Sequence, residues 1–445
     1  MQTHLRIFVP KIASVLFLSL FLAWPPLTEG GLYAGEAVVD TQANDLQGKV
    51  IVGYQGWFAP QGDGTDMGWQ HYGVHHRIFG PDSCTFDMWP DMSEMTDGEK
   101  YPTDFKNQDG STAYVFSSAN QATVSRHFQW MREYGIDGAA LQRFGENLRD
   151  PHQKAWRNRV LQACRTAASN NGRIWYIMYD LSGLKDDEVV PIITQDWKEL
   201  VDSIHPAKDP LYAHFKGKPV VALWGVGFND GRRYSLGTTD KLIDFFKSDP
   251  LYGSNAVILG VPYYWRDGNK DSVPVDEIAP LLKKADIVSP WSVTRYQNLS
   301  QAKTLGDRMI QPDMAWCRQN GLGYLPVVFP GFSWQNLEKS RGRQSPLNMV
   351  SREKGEFLWT QAASVINGGA QMIYVAMFDE IDEGTAIFKV TNTPPVGASS
   401  FATFDGLPSD FYLRLTGQIG AALRGPKPIN LQMPSYGQTK PPTPQ

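Results

Sequence analysis

The chain has 445 residues, 42 Lys and Arg against 46 Asp and Glu, and a formal net charge of −4. Hydrophobic content of 42% and charged content of 20% exclude a long disordered chain. The near-neutral balance gives no electrostatic footprint for nucleic acid and no polybasic segment for a lipid surface.

The first residues read as a leader and not as fold. Arg6 and Lys11 precede a 13-residue apolar run, 12–24, which Pro25 and Pro26 break before small residues follow. That order is a secretory signal peptide, cut between residues 28 and 36, with a retained anchor as the rival reading. Residues 1–34 are assigned to it, the mature chain is expected outside the cytoplasm (periplasmic or extracellular), and no membrane contact is expected after cleavage.

Eight short runs, apolar or rich in β-branched and aromatic residues, then recur: 50–57, 138–144, 174–180, 219–225, 256–265, 286–293, 325–334 and 372–380. Each is nearly continuously apolar, as a strand covered on both faces must be. Amphipathic stretches lie between them at 123–134, 156–168, 187–204, 240–247, 275–284, 301–319 and 356–366, and a last one at 409–423 follows the eighth run. Eight βα alternations predict an α/β chain with a single (β/α)8 TIM barrel over 37–425, an open doubly wound sheet being the alternative. Two connections are long. Residues 58–119 carry Trp69, His71, His75, His76 and Trp89 and predict a packed loop after strand one that helps to form the site. Residues 335–355 are charged. The stretch 426–445 is polar and Pro-rich and is expected to be disordered. Cys84, Cys164 and Cys317 are too few and too far apart for a disulfide framework or a zinc site; three buried thiols are expected, with one bridge and one free thiol as the other reading.

A barrel places its site at the C-terminal ends of its strands. That filter selects Trp57, Gln142, Arg143, Tyr179, Asp180, Trp224, Tyr263, Tyr264, Trp265, Trp291, Arg295 and Trp334, then Asp379, Glu380, Asp382 and Glu383. Five of the ends carry Trp, in a chain with 14 Trp and 12% aromatic residues. A rim of Trp with a few carboxylates suits a carbohydrate cleft, ring faces against C–H bonds and carboxylates on hydroxyls; capping of the barrel core is the plainer alternative for any one of them. The sharpest cluster is Phe378-Asp-Glu-Ile-Asp-Glu-Gly-Thr385. Four acids in five positions, held in a concave site, raise each other's pKa as a general acid requires. Glu380 and Glu383, three apart across a strand-to-loop turn, are the expected pair flanking a glycosidic bond. The segment 225–231 has a poor dinucleotide pattern, and the loop histidines lack a ligand partner at metal spacing, so neither a metal nor another cofactor is expected. Asp137 is expected at the barrel bottom in a structural role. Asp87, Asp91 and Glu94 are read as cleft wall or loop capping.

The segments GYQGWF (53–58), DMWPDMSE (87–94), YGIDG (134–138), QRF (142–144), MYDLSG (178–183), GKPVVALWGVGF (217–228), GVPYYWR (260–266), SPWSVTRY (289–296), FPGFSWQN (329–336) and AMFDEIDEGTAIFK (376–389) resemble the bacterial branch of glycoside hydrolase families 71 and 99. Proteins of this kind are often labelled family 99-like or xylosidase/arabinosidase. The resemblance covers about residues 47–425. It implies a (β/α)8 barrel, retaining action on α-mannosides, and a catalytic pair at Glu380 and Glu383, followed as in the family by Gly384 and Thr385. It further implies that Glu380 draws the proton from the sugar 2-hydroxyl, which attacks C1, and that Glu383 protonates the leaving oxygen. The family's Asn-Glu-Trp is Asp379-Glu380-Ile381 here, so an acid stands where the family has an amide. Family 71, active on α-1,3-glucan, fits less well. The expected function is therefore an exported, monomeric glycoside hydrolase of oligosaccharide or polysaccharide. Asp379, Trp57, Arg143, Tyr179, Asp180, Trp224, Tyr264, Trp265, Trp291, Arg295 and Trp334 are expected in its sugar cleft. A carbohydrate-binding barrel without catalysis is the alternative.

Overall fold

A computed structural model describes residues 43–434. The leader lies outside the described residues. The eight apolar runs become parallel strands: β1 (Val50–Tyr54), β2 (Gly138–Phe144), β3 (Ile174–Asp180), β4 (Lys218–Trp224), β5 (Ala256–Pro262), β6 (Ile287–Trp291), β7 in two pieces (Gly323–Tyr324 and Val327–Val328) and β8 (Ile373–Val375). Each strand pairs with the next in the chain, in registers such as Val52 opposite Ala139, Tyr179 opposite Leu223 and Leu259 opposite Val288. The divided β7 joins the two ends of the sheet. Tyr324 pairs with Val288 of β6 and Val327 with Tyr374 of β8, while Val375 pairs with Val52 of β1. The result is a (β/α)8 barrel.

The helices cover it in the order the periodicity predicts: α1 (Gln121–Glu133), α2 (Pro151–Asn171), α3 (Asp186–Ile204), α4 (Leu236–Ser248), α5 (Val275–Leu282), α6 (Leu299–Leu305 continuing through a π turn into Gln311–Gln319), α7 (Glu356–Asn367) and α8 (Phe411–Arg424). Local chemistry sets their ends. The Asn120 side chain accepts from the Ala122 and Thr123 amides and starts α1. Asp150 caps α2 ahead of Pro151, and Gly172, at φ 60°, ends it in the left-handed conformation. Among the described residues no helix is long and apolar enough to cross a membrane.

The connection from β1 to α1 holds a two-stranded antiparallel hairpin, Tyr101–Lys106 with Thr112–Val115. Its own aromatic cluster packs it: Phe58, Tyr72, Phe79, Phe86, Trp89, Phe105 and Phe116 lie ring to ring. At the barrel bottom the Asp137 carboxylate accepts from the Val50 amide at 2.8 Å and from Arg424 at 2.9 Å. The three cysteines are free and buried. The expected disorder from residue 426 is corrected for the first part of that stretch. The Asn430, Leu431 and Ile429 carbonyls accept from Trp359, Thr360 and Asn367 of α7, which ties residues 429–431 to the barrel wall. Residues 435–445 lie outside the described residues.

Candidate active site

The acidic segment leaves the barrel at the top of β8 and folds back on itself. The Thr385 and Ala386 amides both donate to the Glu380 carbonyl, at 3.1 and 3.0 Å, and the Ser333 amide donates to the Glu383 carbonyl at 2.9 Å. Gly384 sits at φ +63°, where a Cβ would come within 2.7 Å of the Ser333 nitrogen. Only glycine fits there without displacing the backbone beside β7. This turn puts four acids together with four different assignments.

Asp379 is fully buried and turned toward β1. Its two oxygens accept from the Gln55 and Gly56 backbone amides at 2.8 and 2.9 Å. It fastens the end of β1 to that of β8, so its expected place in the sugar cleft is corrected. Glu380 is held by two donors, the Gln55 side-chain amide on Oε1 at 2.5 Å and the Thr385 hydroxyl on Oε2. Asp382 accepts at Oδ2 from, or donates to, His71 Nδ1 at 2.9 Å, while its Oδ1 is buried without a protein partner. Glu383 is half-buried, and its carboxyl has no hydrogen bond to the described residues. Burial raises all four, and repulsion among the acids adds to it: Glu380 well above its ordinary range, with Glu383 and Asp382 as the next causes, Asp379 to about 7, Asp382 to about 8 and Glu383 to about 7. The side chain of Arg341, reaching over from the connection after β7, opposes the shift at Asp382 and Glu383.

Beside this cluster lies a cavity of about 480 Å³ at the tops of β1 to β3, with Trp57, His71, Glu146, Arg149, Arg157 and Asp180 among its lining. Asp180 thus lies where the strand-end filter put it, its Oδ1 accepting from the Ser182 amide at 2.7 Å. Trp57 is present at the cavity but has no free face. His71 stacks on one side at 3.9 Å and an interplanar angle of 6°, and Phe144 covers the other at 5.2 Å. Its expected role as an open sugar platform is corrected to an edge-on wall. Trp224 and Trp291, at the ends of β4 and β6 on either side of β5, meet edge to face at 5.4 Å, and Arg232 covers the Trp224 ring at 5.0 Å. The indole N–H groups of Trp57, Trp224 and Trp334 are buried without a protein acceptor. At the β5 and β6 ends, Asp271 accepts from the Tyr264 amide at 3.2 Å and from Arg295 at 2.6 Å, tying those two loops together.

Besides Asp379, three of the expected cleft residues point elsewhere. Arg143 and Tyr179 turn outward to the helix layer, where both bind Asp196 of α3: Arg143 Nε at 2.6 Å and Nη2 at 2.5 Å, and the Tyr179 hydroxyl at 2.8 Å. Neighbouring residues on a strand face opposite ways, and the inward place on β2 belongs to Gln142, which donates to Tyr374 across the barrel at 3.1 Å. Trp265 is fully buried against Trp316 of α6. Asp87 caps the turn after β7: it accepts from the Ser333 hydroxyl and the Gln335 and Asn336 amides at 2.6–2.8 Å. Glu94 takes the Trp130 indole N–H at 2.9 Å and pairs with Lys389, far from the acids. The strand-end filter named neither Gln55 nor His71 for the acid cluster. Gln55 follows β1 directly, so the same filter could have found it; His71 lies in the 58–119 loop expected to help form the site, but the sequence did not single it out as the partner of Asp382.

Fold and site define a barrel protein with a buried carboxyl cluster at the strand tops. No protein-family model and no curated protein sequence matches the chain. Among solved structures it is similar to the GH99 endo-alpha-mannosidase of Bacteroides thetaiotaomicron, in two determinations. In one, in complex with bis-tris-propane, identity is 16% and the TM-score 0.59; in the other, identity is 15% and the TM-score 0.58. In both the match covers 85% of this chain and 98% of that one. At this identity the likeness is one of fold, the glycoside hydrolase-like (β/α)8 barrel.

The raised carboxyls make a stability prediction. A carboxyl lifted by folding stabilises the fold below its unfolded pKa, and that contribution is lost as pH rises through the folded value. His71, half-buried, and His127, fully buried, are instead lowered by burial, each to about 3. Their contribution is complete above the unfolded histidine value of about 6.5. Above that pH the acids act alone, so the melting temperature should fall from pH 6.5 to 8.5. Asp382→Asn should flatten part of that fall, measured by thermal melts at matched ionic strength; an identical slope in the variant would refute the assignment.

Proposed function

We propose that this protein is a retaining glycoside hydrolase in which Glu380 and Glu383 work as a base and acid pair. The observation that carries the reading is their unequal environment within one buried cluster. Two close carboxyls in low dielectric hold one proton between them near neutral pH. The Gln55 side-chain amide and the Thr385 hydroxyl both donate to Glu380 and favour its carboxylate, whereas Glu383 has no such donor. At Glu380 those two donors oppose the burial and repulsion that raise both groups, so the proton is assigned to Glu383, which is free to give it to a leaving oxygen, and the carboxylate of Glu380 is the base. Acting on the sugar 2-hydroxyl, Glu380 makes that oxygen the nucleophile at C1, and no glycosyl ester forms on the protein. Glu383, by then ionised, takes a proton from the water that opens the resulting three-membered ring at C1, while Glu380 returns its proton to the 2-oxygen; the hydroxyl, both carboxyls and the original anomeric configuration are restored.

The adjoining cavity suits a glycan: its polar lining mixes both charges with amides, groups that pair with sugar hydroxyls. An α-linked substrate of mannoside type is the reading to test first, because the barrel is similar to that of an endo-alpha-mannosidase and two glutamates stand three apart before Gly384 and Thr385. Action outside the cytoplasm, by a monomer, completes the proposal.

A screen of defined α- and β-linked oligosaccharides with product analysis tests it. Proton NMR of the first-formed product should show the substrate's anomeric configuration, and a 2-deoxy analogue should bind without being cleaved. Inversion, or a trapped ester on either glutamate, would overturn the mechanism. Binding without release of reducing ends would make this a carbohydrate-binding barrel.

A further inference from the structure

Asp382 stands between the two glutamates of the proposed pair, yet it has no part in the acid and base steps above. Its environment differs from that of Asp379. No backbone amide from another segment takes its oxygens; Oδ1 is buried with no partner, and Oδ2 meets the imidazole of His71 at 2.9 Å. That imidazole is held with unusual care for a loop residue. His71 has φ +59°, a conformation that side-chain-bearing residues seldom adopt. Its ring lies flat on the Trp57 indole, its carbonyl accepts from Thr85 at 3.0 Å, and its amide donates to His76 Nδ1 at 3.3 Å. Ring plane and backbone are thus both fixed, and Nδ1 is aimed at the carboxyl 311 positions away.

We propose that His71 is a positioning residue which shares one proton with Asp382, so that the dyad stays neutral beside the Glu380 and Glu383 pair. This rests on the catalytic reading of that pair. A third ionised carboxyl here would press on both glutamates. The charges around the dyad set where its proton sits. Arg157 from α2 and Arg341 from the connection after β7 face His71 and disfavour imidazolium, as does His76 in contact with its amide. Glu380, Glu383 and Asp87 face Asp382 and disfavour carboxylate, while Arg341 and the amides of its own turn favour it. Burial is the leading cause on both partners, lowering His71 to about 3 and raising Asp382 to about 8. The proton therefore lies on Asp382 Oδ2 and is donated to a neutral His71 Nδ1, whose Nε2 carries the ring hydrogen.

The dyad explains how a site with four acids in five positions keeps a usable proton on Glu383. With Asp382 neutral, the negative charges left facing Glu383 are the catalytic base and Glu338. If Asp382 ionised, both glutamates would be pushed upward and the base would stay protonated at neutral pH. The acid at position 382 is thus tolerated because a loop histidine masks it.

Two measurements on the full folded chain test this. Nitrogen-15 NMR of the imidazoles needs no substrate: His71 should show a neutral ring with an acceptor-type Nδ1 from pH 5 to 8, and in Asp382→Ala the Nδ1 signal should lose that hydrogen-bond shift. The second is the pH profile of kcat/KM. His71→Phe keeps a ring on Trp57 but removes the acceptor, so Asp382 ionises earlier and both limbs should move up by about one pH unit. In the Asp382→Asn background the same change should leave the limbs in place. An imidazole that titrates near its ordinary value with Asp382 present would overturn the dyad, as would equal limb shifts in both backgrounds. If the chain turns over no glycan, the proposed function fails while the NMR result still decides whether the proton is shared.

Discussion

Glu380→Gln and Glu383→Gln should each reduce kcat/KM by about a thousandfold on any glycan the native chain cleaves, within the range a positioned acid or base supplies. The two losses should differ in kind. In Glu380→Gln the new amide would still meet Thr385 and Gln55 but could not remove the 2-hydroxyl proton, so the first chemical step stops for every substrate. With Glu383→Gln the loss should depend on the leaving group: an aryl glycoside with an acidic phenol needs little proton donation and should recover much of the rate, whereas a sugar leaving group should not. Neither variant should lose fold. Each removes a carboxyl whose charged form burial disfavours, Glu380 buried and Glu383 half-buried, so melting temperatures at pH 8 should equal or exceed that of the native chain. Steady-state rates on an aryl and a natural-type glycoside, with thermal melts, separate these outcomes. Turnover near the native level in either variant would remove the catalytic assignment.

The second large effect is on stability and falls on a residue that sequence reasoning placed in the cleft. Arg143 binds Asp196 with two nitrogens in a fully enclosed setting, with Tyr179 on the same carboxylate and Asn158 accepting from Nη2 at 2.7 Å. Arg143→Met should leave the buried Asp196 charge with only the Tyr179 hydroxyl and the more distant Lys154 ammonium at 3.9 Å, at a cost of about 3 kcal/mol. Tyr179→Phe removes one hydrogen bond from the same carboxylate and should cost about 1 kcal/mol. Denaturant titration gives both numbers. The folded fraction of either variant should keep the native kcat, because neither side chain reaches the acid cluster. A selective loss of kcat in Arg143→Met, at unchanged stability, would return Arg143 to the cleft.

The contrast between Arg143 and Asp180 shows where reading a strand end runs out. Arg143 is next to last on β2 and Asp180 is last on the adjacent β3, and the barrel rule selects both. Which side a residue faces depends on register counted around a closed ring. Gln142 takes the inward place on β2, so Arg143 goes outward, and on β3 Tyr179 goes outward while Asp180 faces the groove. The tryptophans differ for another reason. Trp57 does reach the site, but Phe144 from β2 and His71 from the loop take both its faces, and no run of sequence announces a stack among three distant segments.

The eight strands, their covering helices, the barrel they close and the acidic turn after β8 are all legible in the chain read as letters. These are local properties: continuous apolar runs, helical periodicity, and four acids in five positions followed by Gly384 and Thr385. The division of labour within that turn is not local, and it took the closed barrel to fix it. Asp379 is committed to the β1 amides, Glu380 is gripped by Gln55 and Thr385, Asp382 is met by His71, and Glu383 is left without a hydrogen-bond partner among the described residues. Gln55 and His71, two of the groups that set those roles, come from the far end of the chain, and closure of the barrel brings β1 against β8 to deliver them. A carboxyl's role is set by its donors and its burial, and both are properties of contacts between segments more than three hundred residues apart.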